Sequence, residues 1–138
     1  MMKTVTNSFI SIDECHGMFL KAKKEADNQK IGIAFCVVDN SGILKYFARM
    51  DNAPLIAVDI SRKKAITAVG FGMPTGEAWH NFVKDDPILH NGVSNITDFM
   101  LLGGGIPLIV DDTTVGAIGI SGGHYKQDEA CCAAAIKI

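Results

Sequence analysis

No run in this 138-residue chain approaches the ~20 consecutive apolar residues of a membrane-spanning helix. The opening residues, Met1-Met2-Lys3-Thr4-Val5-Thr6-Asn7, hold no apolar stretch of signal-peptide length. Both absences lead us to expect a cytoplasmic protein with no membrane partner and with reduced thiols. Charge is also scarce, at 20 % charged residues and a net charge of −2. That excludes the concentrated basic face required for broad affinity to nucleic acid. The densest basic runs, Lys21-Ala-Lys23-Lys24 and Arg62-Lys63-Lys64, fall in helical patterns and read as solvated helix faces. So sparse a surface charge fits a homo-oligomer. Cysteine pairs are lacking too. Cys15, Cys36, Cys131 and Cys132 form neither a Cys-x-x-Cys motif nor a zinc spacing. Cys131 and Cys132 are adjacent, which strains a disulfide, so all four read as small buried apolar residues, with a redox role for the pair as the alternative.

What is present is one domain's worth of patterned chain. A domain of about this length buries roughly two-thirds of its unfolded surface without help from a metal or disulfide. Ser11-Ile12-Asp13-Glu14 is a capping box that opens a helix. Apolar residues then recur at Ile12, Cys15, Phe19, Ala22 and Ala26, and the helix is expected to fade near Asn28. Ile33–Val38 is apolar throughout and reads as a strand buried on both faces. Asp39-Asn40-Ser41-Gly42 makes a turn, and Ile43–Ala48 returns as the second strand of a hairpin. Leu55–Val69 follows as a helix ended by Gly70, then a shorter helix starts at Met73-Pro74-Thr75 and runs through Trp79 and Phe82. Pattern is lost between Lys84 and Asn95, where loops and one helical turn are expected. Ile106–Val110, a turn at Asp111–Thr114, and Val115–Ile120 form a second hairpin. A last helix covers about Tyr125–Ile136, with Asp128 and Glu129 where acidic charge suits the helix dipole. Hairpins demand antiparallel pairing, so the class is α+β.

Several motifs bear on chemistry. Gly119-Ile120-Ser121-Gly122-Gly123 matches the Gly-x-Ser-x-Gly elbow of α/β-hydrolases, but the required acid and then histidine do not follow downstream. Gly70-Phe71-Gly72-Met73-Pro74-Thr75-Gly76 imitates a dinucleotide fingerprint with the wrong spacing and the wrong preceding element. Gly122 and Gly123, just before a helix, can expose N–H groups to a carboxylate or phosphate, or simply make a tight turn. Gly103-Gly104-Gly105 invites the same two readings. If the hairpins are neighbours, both glycine loops line one pocket. His16 stands four residues after Ile12 and three before Phe19, on or beside the buried face of the first helix. It reads either as a satisfied core histidine or as a single axial ligand to a flat metal macrocycle. Arg49 can clamp a ligand carboxylate, or pair with Asp51 or Asp59.

Taken in order, Val37-Val38-Asp39-x-x-Gly42, Arg49-Met50-Asp51-x-Ala53, Lys63-Lys64-Ala65-x-Thr67-Ala68, Gly103-Gly104-Gly105-Ile106-Pro107, Gly116–Gly123 and Gln127-Asp128-Glu129 resemble the GlcG/HbpS family, which also forms the C-terminal part of PduO-type proteins. The resemblance spans about Val5 to Ile136, within one domain over 1–138. It implies a profilin-like fold, a central antiparallel five-stranded sheet with helices on both faces. It implies homo-oligomers, haem binding in several members, and an association with cobalamin-dependent diol or glycerol dehydratase systems. A dehydratase-system partner is therefore an expectation. The adenosyltransferase domain of PduO has no counterpart here, so adenosyl transfer is not carried over. His16 matches the first-helix position where PduO-like relatives place an axial ligand. Arg49, Gly104, Gly105, Gly122 and Gly123 match positions that shape the pocket.

The expectation that follows is an accessory protein binding haem or cobalamin, with His16 on the metal, rather than a catalyst. A second reading is an enzyme of small hydroxy acids or aldehydes. There Arg49 holds the substrate and Asp128 or Glu129 is the base, with a small anionic ligand near Gly122. A third is an assembly partner that needs no ligand.

Overall fold

The computed structural model describes residues 1–137, so Ile138, the end of the expected domain, lies outside the described residues. Its first helix, α1 (Ile12–Asn28), starts where the capping box places it, with Ser11 Oγ accepting the Glu14 N–H at 3.2 Å. Strands β1 (Ala34–Asp39) and β2 (Leu44–Arg49) form the first hairpin. In the turn, Asp39 Oδ1 accepts the N–H groups of Ser41 and Ile43, and Gly42 takes φ +80°. Helix α2 (Ala57–Phe71) runs past Gly70 and ends at Gly72, the residue in the left-handed conformation. The short helix α3 (Glu77–Val83) is the one expected through Trp79 and Phe82, though it starts after Met73-Pro74-Thr75, and α4 (Pro87–Gly92) and a 3₁₀ turn (Val93–Asn95) occupy the segment without clear pattern.

Strands β3 (Gly105–Val110) and β4 (Thr113–Ser121) form the second hairpin, and α5 (Tyr125–Ala135) closes the fold. Asp111 and Asp112 both have positive φ, 48° and 61°. A two-residue loop of this kind matches the twist of a hairpin, so Thr113 and Thr114 belong to β4 rather than to the turn.

The sheet has four strands in the order β2-β1-β4-β3, all antiparallel, not the five that the family resemblance implied. Residues 96–104, which lead into β3, have backbone bonds elsewhere. Met100 N–H reaches Thr67 Oγ1 at 2.9 Å, and Leu101 C=O accepts the Gly76 N–H at 2.7 Å. A strand there would have to give up these bonds.

Helices cover both faces. On one, α1 and α5 pack over Phe35, Val37, Ile118 and Ile120, with Cys15, Cys131 and Cys132 in the same core. On the other, α2 lies over Cys36, Val38 and Ala117. β1 is buried on both sides, as its unbroken apolar run demands. Trp79, Val83 and Val93 make a smaller cluster that fixes α3 and α4.

Candidate functional site

Helix α2 does not stand off the sheet at an ordinary distance. Gly105 and Gly119 are register partners on β3 and β4. A Cβ on Gly119 would strike the Ser61 carbonyl, and one on Gly105 the Lys64 carbonyl. Helix backbone thus rests almost directly on strand backbone, which only glycine permits. This close approach carries Lys64 inside the protein, at 1 % exposure. It therefore leaves the solvated face expected of the Arg62-Lys63-Lys64 run, while Arg62 and Lys63 remain nearer solvent and pair with Asp59.

Lys64 Nζ lies 2.8 Å from Asp128 Oδ2 and 2.8 Å from the Ile120 carbonyl oxygen. Asp128 is equally buried, and its Oδ1 accepts the Gly123 N–H at 3.0 Å. Burial pushes the Asp128 carboxyl above the usual carboxylate range, while the Lys64 ammonium and the Gly123 N–H pull the other way. Asp128 is thus engaged at both oxygens. The start of α5 is also partnered from within. His124 Nδ1 accepts the Lys126 N–H at 3.2 Å, and Gln127 Oε1 accepts the His124 N–H at 2.9 Å. Of the Gly122 and Gly123 N–H groups that the sequence offered to an anion, that of Gly123 already has an acceptor, as does the neighbouring His124 N–H.

The sequence-derived site residues do not converge. His16 is exposed on α1, with its Nδ1 2.9 Å from the Tyr46 hydroxyl of β2. Tyr46 packs against Phe19 and Phe35 and so belongs to the α1 face of the sheet. Exposed Ile12 and Leu20 stand one turn before and after His16, making an apolar strip with the imidazole at its centre. Arg49 lies on the opposite face. It is the register partner of Ala34, which in turn pairs with Ser121, so Arg49, Ala34 and Ser121 form one row on the α2 side. Among the described residues Arg49 joins neither Asp51 nor Asp59, and Asp59 is held by Arg62 and Lys63.

The two glycine loops line separate clefts. Gly104 and Gly105 border one of about 290 Å³ with Pro74, Thr75 and Cys132. Gly122 and Gly123 border another of about 360 Å³ with Lys64, Ser121 and Asp128. The Lys64–Asp128 pair stands between them, since a Cβ on Gly104 would meet Lys64 Nζ. Glu129 lines a third cleft, of about 420 Å³, with His80, and its carboxyl lies over Gly76 and Gly103.

Lys64, Asp128, Ser121 and Tyr46 carry the polar geometry; from the sequence Asp128 was offered as a base, Ser121 was set aside as a hydrolase nucleophile, Lys64 read as solvated, and Tyr46 carried no reading. Signals existed. Ala57, Ser61, Lys64, Ala65 and Ala68 recur as one stripe of α2, and Asp128, Cys131, Cys132 and Ala135 as one stripe of α5. A lysine and an aspartate inside two buried stripes imply a buried pair.

A protein-family model described as "Haem degrading protein HbpS-like" matches residues 10–137. A 15.0 kDa protein of the dhaT-dhaS intergenic region in Citrobacter freundii is 29 % identical over 93 % of this chain and 90 % of its own length. The corrinoid adenosyltransferase PduO of Salmonella typhimurium is 29 % identical over 91 % of this chain, but over only 38 % of PduO. The crystal structure of a PduOC–haem complex superposes with a TM-score of 0.86 at 28 % identity, covering 93 % of each chain. Among the described residues no helix is long and apolar enough to cross a membrane, and no cluster of three or more His, Cys, Asp or Glu residues could hold a metal ion.

Proposed function

Because the chain belongs to the HbpS-like family of haem degrading proteins, we propose that it is an accessory protein that binds a haem-class tetrapyrrole, with His16 as the single protein ligand to the metal. The observation that carries this reading is the state of His16. Its Nδ1 is held by the Tyr46 hydroxyl, and the ring is exposed between Ile12 and Leu20. A metal-ligating imidazole ordinarily donates its other N–H to a fixed acceptor, which sets ring orientation and tautomer. With the proton on Nδ1, the Tyr46 hydroxyl takes that role, and Nε2 is left for the metal. The flanking apolar side chains suit the face of a macrocycle. Bound there, haem iron would supply reversible ligand binding and one-electron chemistry.

The PduOC–haem complex supports the ligand class. Among the described residues none of the clefts above includes His16, so the macrocycle would lie against an open surface. Arg49, Gly104, Gly105, Gly122 and Gly123 stand away from that surface, and in this reading they shape the fold or a second site. The test is a visible-spectrum titration of reduced protein with hemin and, separately, with cob(II)alamin. A saturable one-to-one Soret shift lost in His16→Ala is expected with hemin. No saturable shift, or one His16→Ala leaves unchanged, refutes the assignment. A shift with cob(II)alamin alone makes the ligand a corrinoid.

A further inference from the structure

The cleft beside the Lys64–Asp128 pair has donors without acceptors. Lys64 carries three N–H donors and meets two acceptors, Asp128 Oδ2 and the Ile120 carbonyl. Ser121, the next residue along β4, is 7 % exposed and lines the same cleft on the α2 side of the sheet. Its hydroxyl has no partner among the described residues. That oxygen is not sealed off, so a molecule entering the cleft can reach it. The packing of α2 opens this cleft. α2 is pressed onto Gly119 and Gly105, but two residues further along β4 its first turn has diverged, and Pro54, Ile56 and Ile60 face Ser121 across a gap.

We infer that this cleft binds a small neutral carbonyl compound, whose oxygen accepts from the Lys64 ammonium and the Ser121 hydroxyl. Its short hydrocarbon part lies against Ile56, Ile60 and Leu102. Charge decides between a carbonyl and a carboxylate. Lys64 and Asp128 sum to zero, so an added carboxylate would bring a second negative charge beside Asp128 with no net positive charge to balance it. A neutral oxygen meets both donors without that cost. The volume, about 360 Å³, is at the small end of the ~300–1,000 Å³ common for ligand sites.

This site is on the opposite face of the sheet from His16 and does not depend on haem binding. The experiment follows backbone amide resonances of ¹⁵N-labelled full chain titrated with butanone and with propionate, its carboxylate counterpart. Butanone should shift the amides of Ser121–His124 saturably. Ser121→Ala, whose spectrum also reports that it is folded, should weaken binding at least about threefold, the scale of one lost hydrogen bond. His16→Ala should bind butanone as the parent does. Absence of saturable shifts at these amides, equal affinity in Ser121→Ala, or propionate binding as tightly as butanone would each overturn the inference.

Discussion

Replacing Asp128 by Ala should be among the most damaging single changes in this protein. The substitution leaves Lys64, 1 % exposed, with its charge inside the fold and only the Ile120 carbonyl as partner. It also removes the acceptor of the Gly123 N–H. Breaking a buried pair from one side costs about 3–5 kcal/mol, a large part of the ~5–15 kcal/mol that holds a domain together. With a urea slope of roughly 2 kcal/mol/M, the midpoint should drop by about 2 M. The pair itself is a different matter. Burial already drives the Asp128 carboxyl pKa upward against the pull of Lys64, so desolvation outweighs attraction on the carboxylate. The double change Lys64→Met with Asp128→Leu should accordingly recover most of the loss, to within about 2 kcal/mol of the parent. Urea unfolding of the parent, Lys64→Met, Asp128→Leu and the double change at pH 7, followed by Trp79 fluorescence, closes the cycle, with Asp128→Ala measured beside it. If Asp128→Ala costs less than about 1 kcal/mol, or if the double change costs the sum of the single ones, the pair is not a coupled buried unit.

Gly119→Ala should destabilise by at least about 1–3 kcal/mol, because its Cβ strikes the Ser61 backbone, which has no rotamer to move; thermal unfolding measures it. All four thiols should resist a disulfide reagent at pH 8 in the folded protein and react fully in urea, since each is buried and free; one fast-reacting thiol in the fold would refute this. Burial pushes the Cys36 and Cys131 thiols up to about 12 from 9.0. With folded values above unfolded ones, their contribution is complete below pH 9 and declines above it. Each thiol adds a slope of about 1.4 kcal/mol per pH unit between 9 and 12, and Cys36→Ala should make the alkaline decline shallower. Tyr46→Phe keeps the ring against Phe19 and Phe35 but removes the hydroxyl partner of His16, so hemin affinity should fall about tenfold while the fold persists.

Local rules determined a good deal of this molecule. The Ser11 cap, the apolar run of β1, the Asp39–Gly42 turn and the Gly-rich start of α5 each specify structure over a few residues, and the elements formed where those signals lie. The ordered motifs likewise marked the family before any coordinate. Where the short-range signal was ambiguous, the reading drifted: Gly72 ended α2 rather than Gly70, and the two aspartates at 111 and 112 made a tighter turn than four residues would.

Only the tertiary structure decided which polar residues meet. Lys64 and Asp128 are 64 positions apart, and their pairing depends on two glycines letting α2 sink onto the sheet. His16 and Tyr46 are 30 apart and meet because α1 crosses β2. The same packing divided the glycine loops between two clefts and set Arg49 across the sheet from His16. Sequence pattern reports which face of an element is apolar; the partner that face finds depends on how closely backbones can approach, and here glycine at Gly105 and Gly119 sets that distance.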